Sequence, residues 1–449
     1  MKRKQLSLLV DWLNSSHRKQ LVVWGARQVG KTYLVKELFA KSFFSQYVYI
    51  DLKKDEQACQ FFSTTVDASK YLTYIEARYG KRINEKTLLI FDEVQQCSNV
   101  LSSLKYFCQD HREIPVIATG SLVRLSIKQT SSQNNKDSFL FPVGKIDSIT
   151  VYPVTFEEYL INVNPILLDL IKASYENKTP LDAAYHEIAM DLLHEYLTIG
   201  GLPEVLDQFI NEKSYVNASK TLKEVYSNYL GDMNSYNVST EMILKTRNVY
   251  KNIFSQLNKE NKNFKISMIQ KGKSNRDYFN AYEWLELAHI IYRCKNIKGH
   301  VNVPIFDKNE GLFRLYLADV GIFTYQSQVN QADFFVKDNR NTLSGVFYEN
   351  YVATEFSSKE IPLYYWTGKQ SHEFEFIVYS NEKLYPIDTK KTKGNLNSLE
   401  EFRQSNGQCT AIKISGNNFG YNKENKILTI PHYAVFLLAD DVANGTLQF

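Results

Sequence analysis

The sequence predicts an α/β protein: a parallel-sheet domain, then a helical stretch, then a second, smaller α/β segment. Two observations carry that expectation. In the first third, short apolar runs alternate with helix-period stretches, the order that builds a parallel sheet flanked by helices. From Thr155 the pattern turns helical, and β-prone runs return only near Ile290.

The elements follow in order. Leu21-Val22-Val23-Trp24, Tyr47-Val48-Tyr49-Ile50, Leu88-Leu89-Ile90-Phe91 and Val116-Ile117-Ala118 read as four buried strands, because continuous apolar runs of this length suit strands covered on both faces. Residues 33–39 and 100–108 are amphipathic at helical spacing. Phe156-Glu157-Glu158-Tyr159-Leu160 opens the helical region, which continues past Tyr196. Residues 247–294 carry two or three short helical patterns, ending in an amphipathic run over 277–288. Ile290-Ile291-Tyr292 and residues 312–317 are β-prone, so the order is helix, helix, helix, hairpin, which predicts a winged helix. The polar stretch 333–341 reads as a linker and residues 131–137 as a loop. A helix around 346–356 and strands at 363–366, 374–378 and 384–387 complete the chain, without an internal repeat.

Composition bounds the function classes. Hydrophobic residues are 44% of the 449 and aromatics 14%, enough apolar area for several cores, and at roughly 150 residues per domain the length suggests about three. A net charge of +4 gives no field of one sign, so nucleic acid is permitted but not demanded. The five cysteines, Cys59, Cys97, Cys108, Cys294 and Cys409, are scattered without C-x-x-C spacing, which argues against a disulfide framework or a zinc site and fits a reducing cytosol. Residues 1–10 lack a signal-length apolar stretch, and no apolar run of about 18 residues follows, so the expectation is a cytoplasmic chain without membrane contact.

Gly25-Ala26-Arg27-Gln28-Val29-Gly30-Lys31-Thr32 matches G-x-x-x-x-G-K-[ST] between a strand and a helix, where that pattern cradles phosphates. The glycines let backbone N–H groups face the β-phosphate at the helix N-terminus, Lys31 reaches the β/γ oxygens, and Thr32 ligates Mg²⁺. Leu88-Leu89-Ile90-Phe91-Asp92-Glu93 is a buried strand ending in two acids. Asp92 is expected to hold the magnesium ion through water and Glu93 to polarise the attacking water of ATP hydrolysis. Val116-Ile117-Ala118 delivers Thr119-Gly120-Ser121 to the same sheet edge, making Thr119 and Ser121 candidate γ-phosphate sensors, though a plain hydroxyl-closed turn reads as well. Arg27 and Arg124 are candidate charge stabilisers.

These segments, with Ile117-Ala118-Thr119-Gly120-Ser121 and Val151-Tyr152-Pro153-Val154-Thr155-Phe156-Glu157-Glu158-Tyr159-Leu160, resemble uncharacterised bacterial and archaeal AAA-superfamily ATPases with a distinctive C-terminal domain. The likeness continues through Gly200-Gly201-Leu202-Pro203-Glu204, Asn258-Lys259-Glu260-Asn261, residues 281–287 and Leu315-Tyr316-Leu317-Ala318-Asp319-Val320-Gly321, and covers nearly the whole chain. Gly144-Lys145 stands where relatives usually carry Gly-Arg, so a finger role does not transfer there. The resemblance implies a P-loop NTPase core over 1–160, a helical lid over 161–240, a winged-helix module over 241–332 and a restriction-endonuclease-like, PD-(D/E)XK-type domain over 340–449.

The residues reach the same C-terminal site independently. Glu349 lies on a helix, Glu375 in a strand, and Asp388-Thr389-Lys390 at a strand end, so an α-β-β arrangement can bring the acids together for Mg²⁺, with Lys390 beside an attacking water. Glu375 stands where active nucleases tend to have Asp, and Asp388 where relatives commonly have Glu. A carboxylate displaced by roughly 1 Å disturbs octahedral magnesium, which favours a fold that does not cut. Lys271, Lys273, Arg276 and Arg293 surround the expected recognition helix, but Glu283 and Glu286 interrupt a basic face. Two readings stay open: an ATPase acting on DNA, or an ATP-dependent switch or scaffold for a protein partner or a second copy, with an inactive nuclease-like domain.

Overall fold

The computed structural model describes residues 1–121, 144–234, 239–305, 311–329, 345–369, 372–389 and 397–448. The expected loop at 131–137, Arg124, the linker at 333–341 and Lys390 lie outside the described residues. The chain forms two compact units, one of residues 3–152 with 287–289, the other of residues 1–2, 153–286 and 290–449.

The first unit is a five-stranded sheet of β1 (Gln20–Trp24), β2 (Gln46–Asp51), β3 (Thr87–Asp92), β4 (Val116–Thr119) and β5 (Ile146–Thr150), ordered β2-β3-β4-β1-β5. All neighbours are parallel. The four apolar runs form β1 to β4, each one or two residues longer than the run itself. β5 has no such run: it is an edge strand, Ile-Asp-Ser-Ile-Thr, mostly half-buried, and its sequence carries only weak alternation. Helices Ala68–Tyr79 and Ser98–Asp110 contribute buried side chains to a core with the sheet, where Phe62, Tyr71, Phe91 and Phe107 meet largely edge to face. Register pairs Val23 with Thr119, Phe91 with Ala118 and Asp51 with Asp92, so the carboxyl ends of β1 to β4 finish along one edge, where open α/β sheets bind ligands.

The second unit begins with helices, among them Phe156–Val163, Ala183–Ile199, Tyr215–Asp232 and Asn275–Leu287. Its first sheet contains β6 (Ile291–Lys298), β7 (Phe313–Leu317), β8 (Tyr364–Thr367) and β9 (Glu373–Phe374), ordered β7-β6-β8-β9. The hairpin strands β6 and β7 are antiparallel, and β6 also pairs in parallel with β8. The hairpin is thus part of a mixed sheet shared with the C-terminal segment. Its second sheet runs β10 (Phe376–Ser380), β11 (Lys383–Thr389), β12 (Ala411–Ser415), β14 (Ile427–Pro431) and β13 (Gly420–Asn422) in spatial order.

One expected strand is divided. Residues 374–378 read as a single run, but Phe374 pairs with Trp366 in one sheet and Phe376 with Ile387 in the other. Residues two apart on a continuous strand share a face. Here the break at Glu375 sends Phe374 against Trp366 and Phe402, and Phe376 against Tyr316 and Phe356.

Two distant segments of this unit lock through Asp319. Its carboxylate caps the helix Val320–Gln326 through the Ile322 N–H (2.9 Å) and accepts the Gly201 N–H (2.7 Å). Gly321 allows this approach, since a Cβ there would sit 2.5 Å from the Ile199 carbonyl oxygen. Burial raises Asp319 to about 6 against the pull of these N–H groups.

Glu355, on the buried helix Val346–Ser358, accepts the Phe156 N–H at 3.0 Å. Burial raises it to about 7, against the lowering effect of that hydrogen bond and of Lys359. A folded-state value above the unfolded one means extra stability below the unfolded value, lost as pH rises through the folded one. Glu355→Gln is therefore expected to flatten the fall in stability between pH about 4.5 and about 7, by up to about 3 kcal/mol, in denaturant titrations across that range. An unchanged slope in the variant contradicts this assignment.

Candidate functional site

The loop after β1 is shaped by its glycines and by a neighbouring strand. Gly25 has φ of +134°, and a Cβ on it would lie 2.2 Å from the Val151 carbonyl oxygen, so no other residue fits there. Val151 donates its N–H to the Trp24 carbonyl (2.9 Å), which holds that carbonyl against the loop. Gln28 also has positive φ (65°). Arg3, nearly buried, donates to the Val29 carbonyl (2.9 Å) and to the Tyr152 carbonyl (2.8 Å), bracing the loop from the N-terminal segment. Nothing in the local sequence signals this role of Arg3, because the Val29 and Tyr152 carbonyls lie far along the chain.

Lys31 is buried, with its ammonium donating to the Gly25 (3.0 Å) and Ala26 (2.7 Å) carbonyls. Thr32 donates its hydroxyl to Asp92 Oδ2 at 2.8 Å, which joins the loop to the end of β3. Three more groups converge on the same carboxylate. Tyr49 donates to Oδ2 (2.7 Å), the Glu93 N–H to Oδ1 (2.9 Å), and the Thr119 hydroxyl also to Oδ1. Asp92 is thus a hub for the loop after β1 and for β2, β3 and β4. In the sequence Tyr49 reads as packing within a buried-strand run, and only the register of β2 beside β3 reveals its hydroxyl's role.

Glu93 adopts the left-handed conformation (φ 57°, ψ 41°), uncommon for a non-glycine residue and typical of functional turns. Its carboxylate accepts from the Gln95 amide. Ser121 is buried at the end of the same edge, and Arg27 is exposed within the loop. Thr32 and Asp92, a hydroxyl and a carboxylate in direct contact, are the oxygen donor types that magnesium takes alongside phosphate.

Residues 17–160 match the family described as an AAA domain. The first unit carries an AAA domain. Residues 190–333 and 344–433 match two domains of unknown function, DUF8612 and DUF4143. Solved structures similar to the chain include a Walker-type ATPase of Pyrococcus abyssi, at 14% identity over 73% of this chain and 95% of that one with a TM-score of 0.43. A signal-transduction ATPase with a tetratricopeptide-repeat sensor from Pyrococcus horikoshii aligns at 14% identity over 80% of this chain and 48% of that one, with a TM-score of 0.24. PCH-2 of C. elegans aligns at 13% over 40% and 48%, with a TM-score of 0.21. No curated protein sequence matches the chain. Among the described residues no helix is long and apolar enough to cross a membrane.

Of the C-terminal residues, Glu349 and Glu375 are brought together, but around a lysine. Glu349, 1% exposed, accepts from Lys262 Nζ at 2.5 Å, Arg314 Nη1 at 3.1 Å and the Tyr316 hydroxyl at 2.6 Å. Glu375, at the break between β9 and β10, accepts from Lys262 at 3.5 Å and from the Thr389 N–H at 3.1 Å. Asp388 lies next to Thr389 on β11, in register with Lys413 of β12. Among the described residues no group of three or more His, Cys, Asp and Glu side chains is arranged to hold a metal ion. Burial opposes the charge on Lys262, but Glu349 and Glu375 outweigh it and raise its pKa. Lys262 and Arg314 carry no local signal in the sequence, since they come from segments 87 and 35 residues before Glu349.

In the AAA domain, burial lowers Lys31 to about 8, Glu93 and then Asp92 pull it back up, and Arg27 pushes it down. Phosphate oxygens favour the ammonium form. Nucleotide binding at pH about 8 is therefore expected to take up a fraction of a proton, seen as a binding enthalpy that changes with the ionisation enthalpy of the buffer. Enthalpies independent of buffer at that pH contradict the lowered Lys31.

Proposed function

We propose that the AAA domain binds Mg-ATP and hydrolyses it, with Lys31 on the β/γ oxygens, Thr32 and Asp92 as the residues that would hold Mg²⁺, and Glu93 as the group that polarises the attacking water. The convergence of Thr32, Tyr49, Thr119 and the Glu93 N–H on Asp92 carries this reading, because it fixes the carboxylate before nucleotide arrives. When bound, magnesium neutralises charge on the β- and γ-phosphates. The water oxygen bonds to the γ-phosphorus while the bond to the bridging oxygen breaks, and ADP leaves with that electron pair. Glu93 takes the proton that the attacking water gives up, and its left-handed backbone supports the reading by breaking the strand's alternation at that residue. Thr119, already bonded to Asp92, serves as a positioning residue, and Ser121 and Arg27 remain candidates for the γ-phosphate.

For the rest of the chain we favour the switch or scaffold reading, in which residues 161–240 act as a lid, 241–332 as a winged-helix-like module, and 340–449 as a nuclease-like domain that does not cut. Lys262 and Arg314 on the carboxylates support it, since a metal-dependent nuclease needs those oxygens free. The DNA-acting reading keeps Lys271, Lys273 and Arg276 as exposed bases, but Arg293 is engaged by Glu286 at 2.6 Å and lies over the Tyr282 ring at 5.0 Å. ATP turnover indifferent to DNA fits the scaffold reading, and salt-sensitive DNA stimulation fits the other.

Lys31→Ala is expected to remove nucleotide binding and turnover, and Glu93→Gln to keep nucleotide affinity while slowing hydrolysis about 100-fold or more, in steady-state phosphate release paired with nucleotide titrations. Undiminished hydrolysis by Lys31→Ala would sink the site, and equal loss of binding in Glu93→Gln would make Glu93 structural.

A further inference from the structure

The Glu349–Glu375 pocket has every carboxylate oxygen engaged. Glu349 Oε1 takes Arg314 and Tyr316, Glu375 Oε2 takes the Thr389 N–H, and the two remaining oxygens, Glu349 Oε2 and Glu375 Oε1, both face Lys262 Nζ. One cation thus bridges a carboxylate on the helix Val346–Ser358 and another at the junction of β9 and β10. A hard divalent ion shared by two carboxylates would use the same pair of oxygens.

The lysine is delivered by a loop that is anchored at three successive residues after it. Asn263 Oδ1 accepts the Tyr365 hydroxyl (2.5 Å), the Phe264 N–H meets the Phe313 carbonyl (2.8 Å), and the Lys265 N–H meets Gln256 Oε1 (2.7 Å). Tyr365 in turn lies 4.2 Å beneath the Arg314 guanidinium, so loop, arginine and carboxylates form one connected group. A surface lysine that strays onto an acid has no such support. Removing the ammonium would take away the cation that lies within hydrogen-bonding distance of both Glu349 Oε2 and Glu375 Oε1, at a cost in stability.

We infer that Lys262 is a built-in cation occupying the seat of a divalent metal between Glu349 and Glu375, so that the pocket takes Mg²⁺ or Mn²⁺ only when this side chain is removed. The inference deepens the scaffold reading of the C-terminal unit by naming the group that keeps the pocket metal-free. The lysine meets both nearly buried acids with positive charge and hydrogen bonds together.

The test uses the full chain, free of nucleotide, with Mn²⁺ as the probe, read by the free-Mn²⁺ electron paramagnetic resonance signal and by the melting temperature. Wild type is expected to bind no Mn²⁺ that depends on Glu349. Lys262→Ala is expected to melt several degrees lower, to bind one Mn²⁺, and to regain at least half of the lost melting temperature with it; adding Glu349→Gln removes both effects. Lys262→Gln keeps the side-chain stem and is expected to respond in the same direction, which covers an alanine variant that fails to fold. Wild-type binding of one Mn²⁺ that Glu349→Gln abolishes overturns the inference, as do folded Lys262→Ala and Lys262→Gln proteins that bind none. DNA cleavage assayed on the same samples separates the two claims. Mn²⁺-dependent cutting confined to the Lys262 variants supports the seat, whereas wild type that binds Mn²⁺ through Glu349 and does not cut overturns the seat and leaves the scaffold reading standing.

Discussion

The candidate ATP site depends on one buried carboxylate. Asp92 ends a strand whose six residues are all buried, and its two oxygens collect four donors from the loop after β1, from β2, from β4 and from its own successor. A carboxylate buried without partners is costly, so these bonds stabilise the local fold and aim the side chain in the same act. Parallel register makes the convergence possible, because it brings the ends of β1, β2, β3 and β4 to one edge. Gly25 and Arg3 set the loop from the other side, the first by leaving room for Val151 and the second by holding the Val29 carbonyl.

The second unit uses the opposite solution for its acids. Where the hydrogen bonds to Asp92 all come from neutral donors, those to Glu349 come from two cations and a phenol. Arg314 is 2% exposed and also reaches Glu373 at 2.6 Å, so two cations join three carboxylates in one network. Buried ion pairs contribute specificity of arrangement more surely than net stability. Here they tie the helix Val346–Ser358 to β7 and β9, beside the point where Glu375 divides one strand into two.

The first unit was legible in the sequence to a large degree because its signals are local. An apolar run followed by the phosphate-loop pattern, and another followed by two acids, are contiguous and carry their own context, and the AAA-domain match over residues 17–160 agrees with them. What was not legible is what comes from pairing. Tyr49 and Arg3 reach the site only through register and through backbone acceptors, and β5 lacks the apolar run that marks its neighbours. In the C-terminal segment Glu349, Glu375 and Asp388 were visible as acids on the right kinds of element, but the cations that meet two of them come from other parts of the chain. The break at Glu375 was hidden for the same reason, since alternation cannot tell one face from two sheets.

If Asp92 organises the site for magnesium, its charge matters to nucleotide chiefly through the metal. The most direct measurement is the ratio of ATP affinities with Mg²⁺ and with EDTA, compared between wild type and Asp92→Asn, whose amide keeps the shape of the side chain and one of its two acceptor oxygens. The account expects a large ratio in wild type that collapses in the variant, with affinity in EDTA nearly the same for both. An Asp92→Asn protein that keeps the wild-type magnesium dependence would contradict it.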